Sequence, residues 1–135
     1  MWFSVRVAAA FAACVSIAAC KDSTTPTIAG QYHATAFTVT QGDSTVDELG
    51  HGARVDIMLL ADGSTTGTLF IPGANPDGTD LTASLAGQWQ LISNEVTFIQ
   101  DADTFVRDMS FILDGSMLSG DATFGAQTIH LVLRK

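Results

Sequence analysis

Two kinds of hydrophobic patterning divide the chain. Apolar residues run almost unbroken from Val7 to Ala19, whereas from Ile28 onward apolar and polar positions alternate with a period of two. Leu81, Ala83, Leu85, Gly87, Trp89 and Leu91 alternate with Thr82, Ser84, Ala86, Gln88 and Gln90, as expected of a strand with one buried face. Val55, Ile57 and Leu59 alternate with Asp56 and Met58; Ile129, Leu131 and Leu133 alternate with His130 and Arg134. Turn dipeptides punctuate these runs at Gly42-Asp43, Asp62-Gly63, Ser93-Asn94, Asp114-Gly115 and Gly125-Ala126. Asp-Gly between alternating runs is a hairpin signal, because both residues tolerate positive φ. The pattern predicts strands over residues 29–40, 45–48, 53–61, 64–71, 81–92, 95–100, 104–113, 116–124 and 127–134. Residues 72–80, rich in Pro and Gly, form a loop.

Nine short strands in sequence order, each with one apolar face, predict an all-β domain over residues 28–135. Closure into an up-and-down antiparallel barrel of eight or nine strands removes exposed edges; a two-sheet β-sandwich satisfies the same alternation. The expected inward rows carry Trp89, Phe98, Phe105, Phe111 and Phe124, large groups that would fill much of an eight-stranded interior. An internal echo accompanies the strands. Ile28-Ala29-Gly30-Gln31-Tyr32 reappears as Leu85-Ala86-Gly87-Gln88-Trp89, and Leu59-Leu60-Ala61-Asp62-Gly63-Ser64 as Phe111-Ile112-Leu113-Asp114-Gly115-Ser116. The matches keep inward parity, consistent with a duplicated four-strand unit plus a closing strand, or with similar turns reached independently.

The unbroken apolar run is shorter than the roughly 20 residues of a membrane span, follows Arg6, and ends in Ile17-Ala18-Ala19-Cys20. This segment resembles the signal peptide and lipobox of bacterial lipoproteins. The resemblance implies cleavage after Ala19, so that residues 1–19 are the signal peptide. It further implies that Cys20 becomes an acylated (palmitate-bearing) amino terminus and that residues 20–27 tether the domain to the membrane. Lys21 directly after Cys20, with Asp22 one place later, favours the outer membrane in a cell with two membranes. Six Lys+Arg against 14 Asp+Glu give −8; losing Arg6 leaves five basic residues and a mature charge of −9. So acidic a chain cannot build the basic patch that nucleic acid requires. Cys14 leaves with the signal, so the mature domain has no thiol for a disulfide, metal site or nucleophile.

Gly87-Gln88-Trp89, with Gly30-Gln31-Tyr32 on the first strand, resembles the Gly-x-Trp signature of lipocalin-like proteins. In that family the glycine lets the strand bend and the aromatic plugs the closed end of a barrel. Arg134 would be the basic residue that packs across it. Here the Trp version stands mid-chain, and the family's Thr-Asp-aromatic run is absent. The resemblance implies a lipocalin-like barrel and, with it, a small apolar or anionic ligand.

Catalytic chemistry is sparse. No Walker loop, zincin motif, nucleophile elbow or dinucleotide fingerprint occurs, and the chain reads as a non-enzyme without cofactors. Asn75, Asp77 and Asp80 fail the calcium-loop spacing and read as a polar turn. His33 and His130 share the outward parity on the first and last strands, which closure brings together, so they could become cross-strand neighbours. Two imidazoles alone bind metal poorly, and the pair reads as an accidental surface pair. Arg107 shares the parity of Phe105, Met109, Phe111 and Leu113. A guanidinium in an apolar row must be met by an internal carboxylate, by water at the rim, or by the head group of an anionic ligand. Two functions follow from the sequence. One is an envelope lipoprotein binding a small hydrophobic or anionic ligand in its barrel, with Arg107 as anchor. The other is a protein-interaction or inhibitor module of the cell envelope, meeting its partner through loops 41–52 and 72–80.

Overall fold

The computed structural model describes residues 28–135; Cys20, the signal segment and the tether lie outside the described residues. Ten strands form one antiparallel sheet: β1 (Gly30–Gln41), β2 (Ser44–Asp47), β3 (Arg54–Leu59), β4 (Ser64–Ile71), β5 (Leu81–Ser84), β6 (Gly87–Ile92), β7 (Glu95–Gln100), β8 (Ser110–Asp114), β9 (Met117–Phe124) and β10 (Gln127–Arg134). Neighbours run β1-β3-β4-β6-β7-β8-β9-β10, and β10 pairs back to β1, closing an eight-stranded up-and-down barrel. The sandwich alternative is thereby excluded.

The remaining two strands prolong staves of the barrel. β2 pairs with the far half of β1, and β3 with its near half; a short 3-10 turn, Leu49–His51, separates them. β5 and β6 lie along β4 in one uninterrupted register, from Ile71 opposite Leu81 to Ser64 opposite Gln88, with the Leu85 N–H donating to the Gly67 carbonyl at 3.0 Å. The expected strand 81–92 is therefore one stave in two pieces.

The wall coils where glycine allows it. A Cβ on Gly87 would sit 2.1 Å from the Ile99 carbonyl oxygen of β7, so only glycine admits that approach of two backbones. A second irregularity lies in β1, where the register against β10 slips between Ala34 and Ala36. This bulge moves the inward face from Tyr32 to Phe37.

Every barrel stave contributes to a single core. Tyr32 and Phe37 from β1, Val55, Ile57 and Leu59 from β3, Leu69 from β4, Phe98 from β7, Phe111 from β8, Leu118 from β9, and Leu131 and Leu133 from β10 are all buried in one contiguous apolar cluster, with half-buried Trp89 and Leu91 of β6 packed against it. Phe98 meets Phe111 edge-on, ring centres 5.5 Å apart. The interior is filled by these side chains.

Two sequence expectations need correction. Residues 104–109 are not strand: β8 begins only at Ser110. The Asp108 and Met109 N–H groups donate to the carbonyls of Phe105 and Val106, at 3.1 and 3.3 Å, and turn the chain back on itself. Val106 and Met109, three apart, are the fully buried residues; the spacing is that of a turn. The alternation of Phe105, Arg107 and Met109 was coincidental. His33 and His130 also fail to meet. The first and last strands pair as expected, but His33 lies opposite Arg134, and His130 opposite Thr38.

Candidate functional site

The antiparallel meander sorts all connections to two ends. One end carries Ile28, Lys135 and the tight turns 60–63, 93–94 and 115–116. The other carries turns 42–43 and 125–126 and the longer segments 48–53, 72–80 and 101–109.

The first end is closed. Tyr32 is fully buried and its hydroxyl donates to the Ile28 carbonyl at 2.7 Å, while burial raises its pKa above the ordinary tyrosine value. The Trp89 indole N–H donates to the Leu60 carbonyl at 2.9 Å, and the Lys135 N–H to the Ser116 carbonyl at 3.0 Å. Leu59 and Leu133 complete the seal, each at most 1% exposed. Arg134, placed across the aromatic by the family resemblance, is exposed at this end and paired in register with His33 and Met117.

At the other end the same inward rows surface. Val39, Ile71, Ala83, Ala122 and Phe124 are only partly buried against the core, joined by Leu49 from the 3-10 turn and Phe105 from segment 101–109. Val39, Ile129 and Ala122 lie side by side across β1, β10 and β9, and Ile71 faces Leu81 across β4 and β5. Phe105 stacks on buried Phe37, ring centres 5.3 Å apart. The result is a shallow apolar mouth with a filled barrel beneath it. Gln127 and Gln41 meet at its lip, 3.5 Å apart.

Segment 101–109 exists because β8 starts late: β7 runs on to Gln100, but β8 begins only at Ser110. β7 and β8 share only three residue pairs, from Glu95–Ile112 to Thr97–Ser110, so above them this segment covers the wall in place of strand pairing. Arg107 stands on it, a third exposed, held by Asp103 at 2.5 Å and Asp108 at 3.3 Å. Two carboxylates already engage the guanidinium, at the rim rather than in an inward row. Two buried oxygens, Thr104 Oγ1 within this segment and Gln100 Oε1 at the end of β7, have no hydrogen-bond partner among the described residues. Gln100 spends its amide on the Leu85 carbonyl at 2.9 Å, which also accepts from Thr65 Oγ1 at 2.7 Å. Sequence reasoning missed this buried polar group, although Gln100 shares the inward parity of Val96 and Phe98.

The loop 72–80 is ordered by its own oxygens. Asp77 accepts from the Thr79 N–H at 3.0 Å and hydroxyl at 2.6 Å, Asp80 accepts from the Gly73 N–H at 3.0 Å, and Asn75 donates to the Asp80 carbonyl at 2.9 Å. The two bonds from Thr79 hold the Asp77 carboxyl below the usual range. The three oxygen-bearing side chains thus brace the loop. The two histidines on the wall each take an aspartate from the next strand: His33 pairs with Asp56 and His130 with Asp121, the latter at 2.6 Å. Among the described residues no group of three or more His, Cys, Asp or Glu is placed to hold a metal ion.

Charge divides between the ends as sharply as exposure does. Residues 43–48, 77–80 and 101–108 at the mouth supply eight carboxylates against Arg54 and Arg107, while the closed end has Asp62, Glu95 and Asp114 against Arg134 and Lys135. No family model, curated protein or solved structure matches the chain.

Proposed function

We propose that this protein is a lipid-anchored envelope lipoprotein, attached through Cys20, whose filled barrel acts as a non-catalytic interaction module. Its mouth receives an apolar side chain of a protein partner that presents basic residues to the acidic rim. The observation that carries this reading is the cluster of half-exposed inward residues gathered at the mouth, Val39, Ile71, Ala83, Ala122 and Phe124. Apolar surface ringed by polar groups is the usual anatomy of a binding patch. Eight carboxylates around it select for positive charge and speed encounter with a basic partner.

The same features weigh against the first reading of the sequence. A small ligand would need interior volume that Phe37, Phe98 and Phe111 occupy. An anionic ligand would meet a negative rim, and Arg107 is already paired with Asp103 and Asp108. The test is native mass spectrometry of the protein extracted from its own membrane. Co-purification of a basic protein, lost on Ile71→Asp, supports the module; a bound small molecule instead supports the carrier. Cys20→Ala separately tests the anchor: the variant is expected to stay unprocessed or leave the membrane fraction, and wild-type fractionation with no loss of acyl mass would contradict it.

A further inference from the structure

Among the described residues, six large hydrophobic side chains are exposed: Val46, Met58, Leu60, Ile92, Ile99 and Ile112. Four of them stand within two residues of strand tips at the closed end. Met58 is the penultimate residue of β3 and Leu60 begins its turn; Ile92 ends β6, and Ile112 lies two residues from the end of β8. Ile92, at 70% the most exposed, and Ile112, at 45%, flank Glu95 on adjacent strands. Packing within the domain accounts for none of this exposure. The mouth has its own explanation, the partner proposed above; the closed end has no such occupant.

From these positions we propose that the closed end of the barrel rests on the lipid bilayer, with Leu60, Ile92 and Ile112 entering the interfacial region. The proposal rests on the reading of Cys20 as lipid anchor. Three observations converge on the bilayer as occupant. Ile28 emerges at this end, and the seven residues between it and Cys20 extend to at most about 25 Å, which keeps this face near the membrane. The closed end is nearly balanced in charge, three carboxylates against Arg134 and Lys135, whereas the mouth carries eight against two. An anionic leaflet repels the mouth and tolerates the closed end. Lastly, isolated aliphatic side chains at hairpin tips suit shallow insertion, where binding scales with the apolar area that enters. The orientation leaves the mouth facing away from the membrane, open to its partner.

Once residues 1–19 are removed, Trp89 is the sole tryptophan, and its indole is bonded to Leu60 at this end. It therefore reports depth directly. Mature lipidated protein is reconstituted into phosphatidylethanolamine–phosphatidylglycerol vesicles, with or without lipids brominated near the head of the acyl chain. Trp89 fluorescence is expected to be quenched by the brominated lipid. Ile92→Asp should lower that quenching by about two-fold or more as apolar area leaves the interface, while Val46→Asp at the far end leaves it unchanged. Equal quenching in wild type and Ile92→Asp, or none in wild type, overturns the docking. An intact mass showing an uncleaved, unacylated chain would overturn the anchor reading instead, so the two failures are told apart.

Discussion

The two ends of this barrel are built from the same inward rows and yet differ in almost every physical respect. At the closed end the rows finish in Tyr32, Leu59 and Leu133, each buried, and the polar atoms that burial strands are matched, Tyr32 to Ile28 and Trp89 to Leu60. At the mouth the rows finish in half-buried Val39, Ile71 and Phe124. One end is sealed; the other stays half exposed.

The largest effect expected from this contrast concerns packing. Leu133→Ala at the closed end should cost about 2–5 kcal/mol in urea unfolding, as for a buried leucine whose cavity cannot collapse. Ile71→Ala at the mouth should cost clearly less, because solvent already reaches that side chain. Equal losses would erase the distinction between the ends.

Tyr32 sharpens it. Tyr32→Phe removes a buried hydrogen bond at 2.7 Å and leaves the Ile28 carbonyl unmatched, a loss of about 1–3 kcal/mol. The same residue gives the closed end an alkaline limit. Burial raises its pKa, so the folded state holds the proton longer than the unfolded one. That contribution is complete below the ordinary tyrosine value near 10 and is lost as pH rises through the raised pKa. Unfolding curves of wild type should therefore weaken with pH in that range more than those of Tyr32→Phe.

Arg107 should give the smallest effect. Arg107→Met breaks two rim ion pairs, and exposed pairs of this kind contribute about 0–1 kcal/mol. A loss of several kcal/mol would restore Arg107 to the interior. Acid pH probes the turns in the same modest way. Hydrogen bonds from Ser64 hold Asp62 below its usual range, and Asp77 is held likewise by Thr79. Both contributions are present above the ordinary carboxylate pKa and fade as pH falls through the lowered values. Asp62→Asn and Asp77→Asn should each flatten the acid limb of the stability profile.

Most of the fold was legible because burial on one face imposes a period of two, and the hairpin turns announce themselves in Asp62-Gly63 and Asp114-Gly115. What failed was register and coincidence. Parity placed His33 and His130 correctly on the outside, but parity carries no information on how far one strand slides along another. The bulge at Ala34–Ala36 has no side-chain signal. Residues 104–109 mimicked a strand because Phe105, Met109 and Phe111 happen to be spaced in twos, while the Asp103–Arg107 pair four apart, a turn signal, went unused. The candidate mouth was legible only in its loops, 41–52 and 72–80. That its apolar rows stay half exposed depends on how far each strand reaches, such as the late start of β8 at Ser110, which a single strand's pattern does not record.

The central claim, that this domain works through the far end of a filled barrel, is tested most directly by position-specific photo-crosslinking in native membranes. A photoreactive residue at Phe124 is compared with one at Ile92. The account predicts protein adducts at position 124 that disappear with Ile71→Asp, and lipid adducts at position 92. Protein adducts concentrated at position 92, with none at 124, would contradict it.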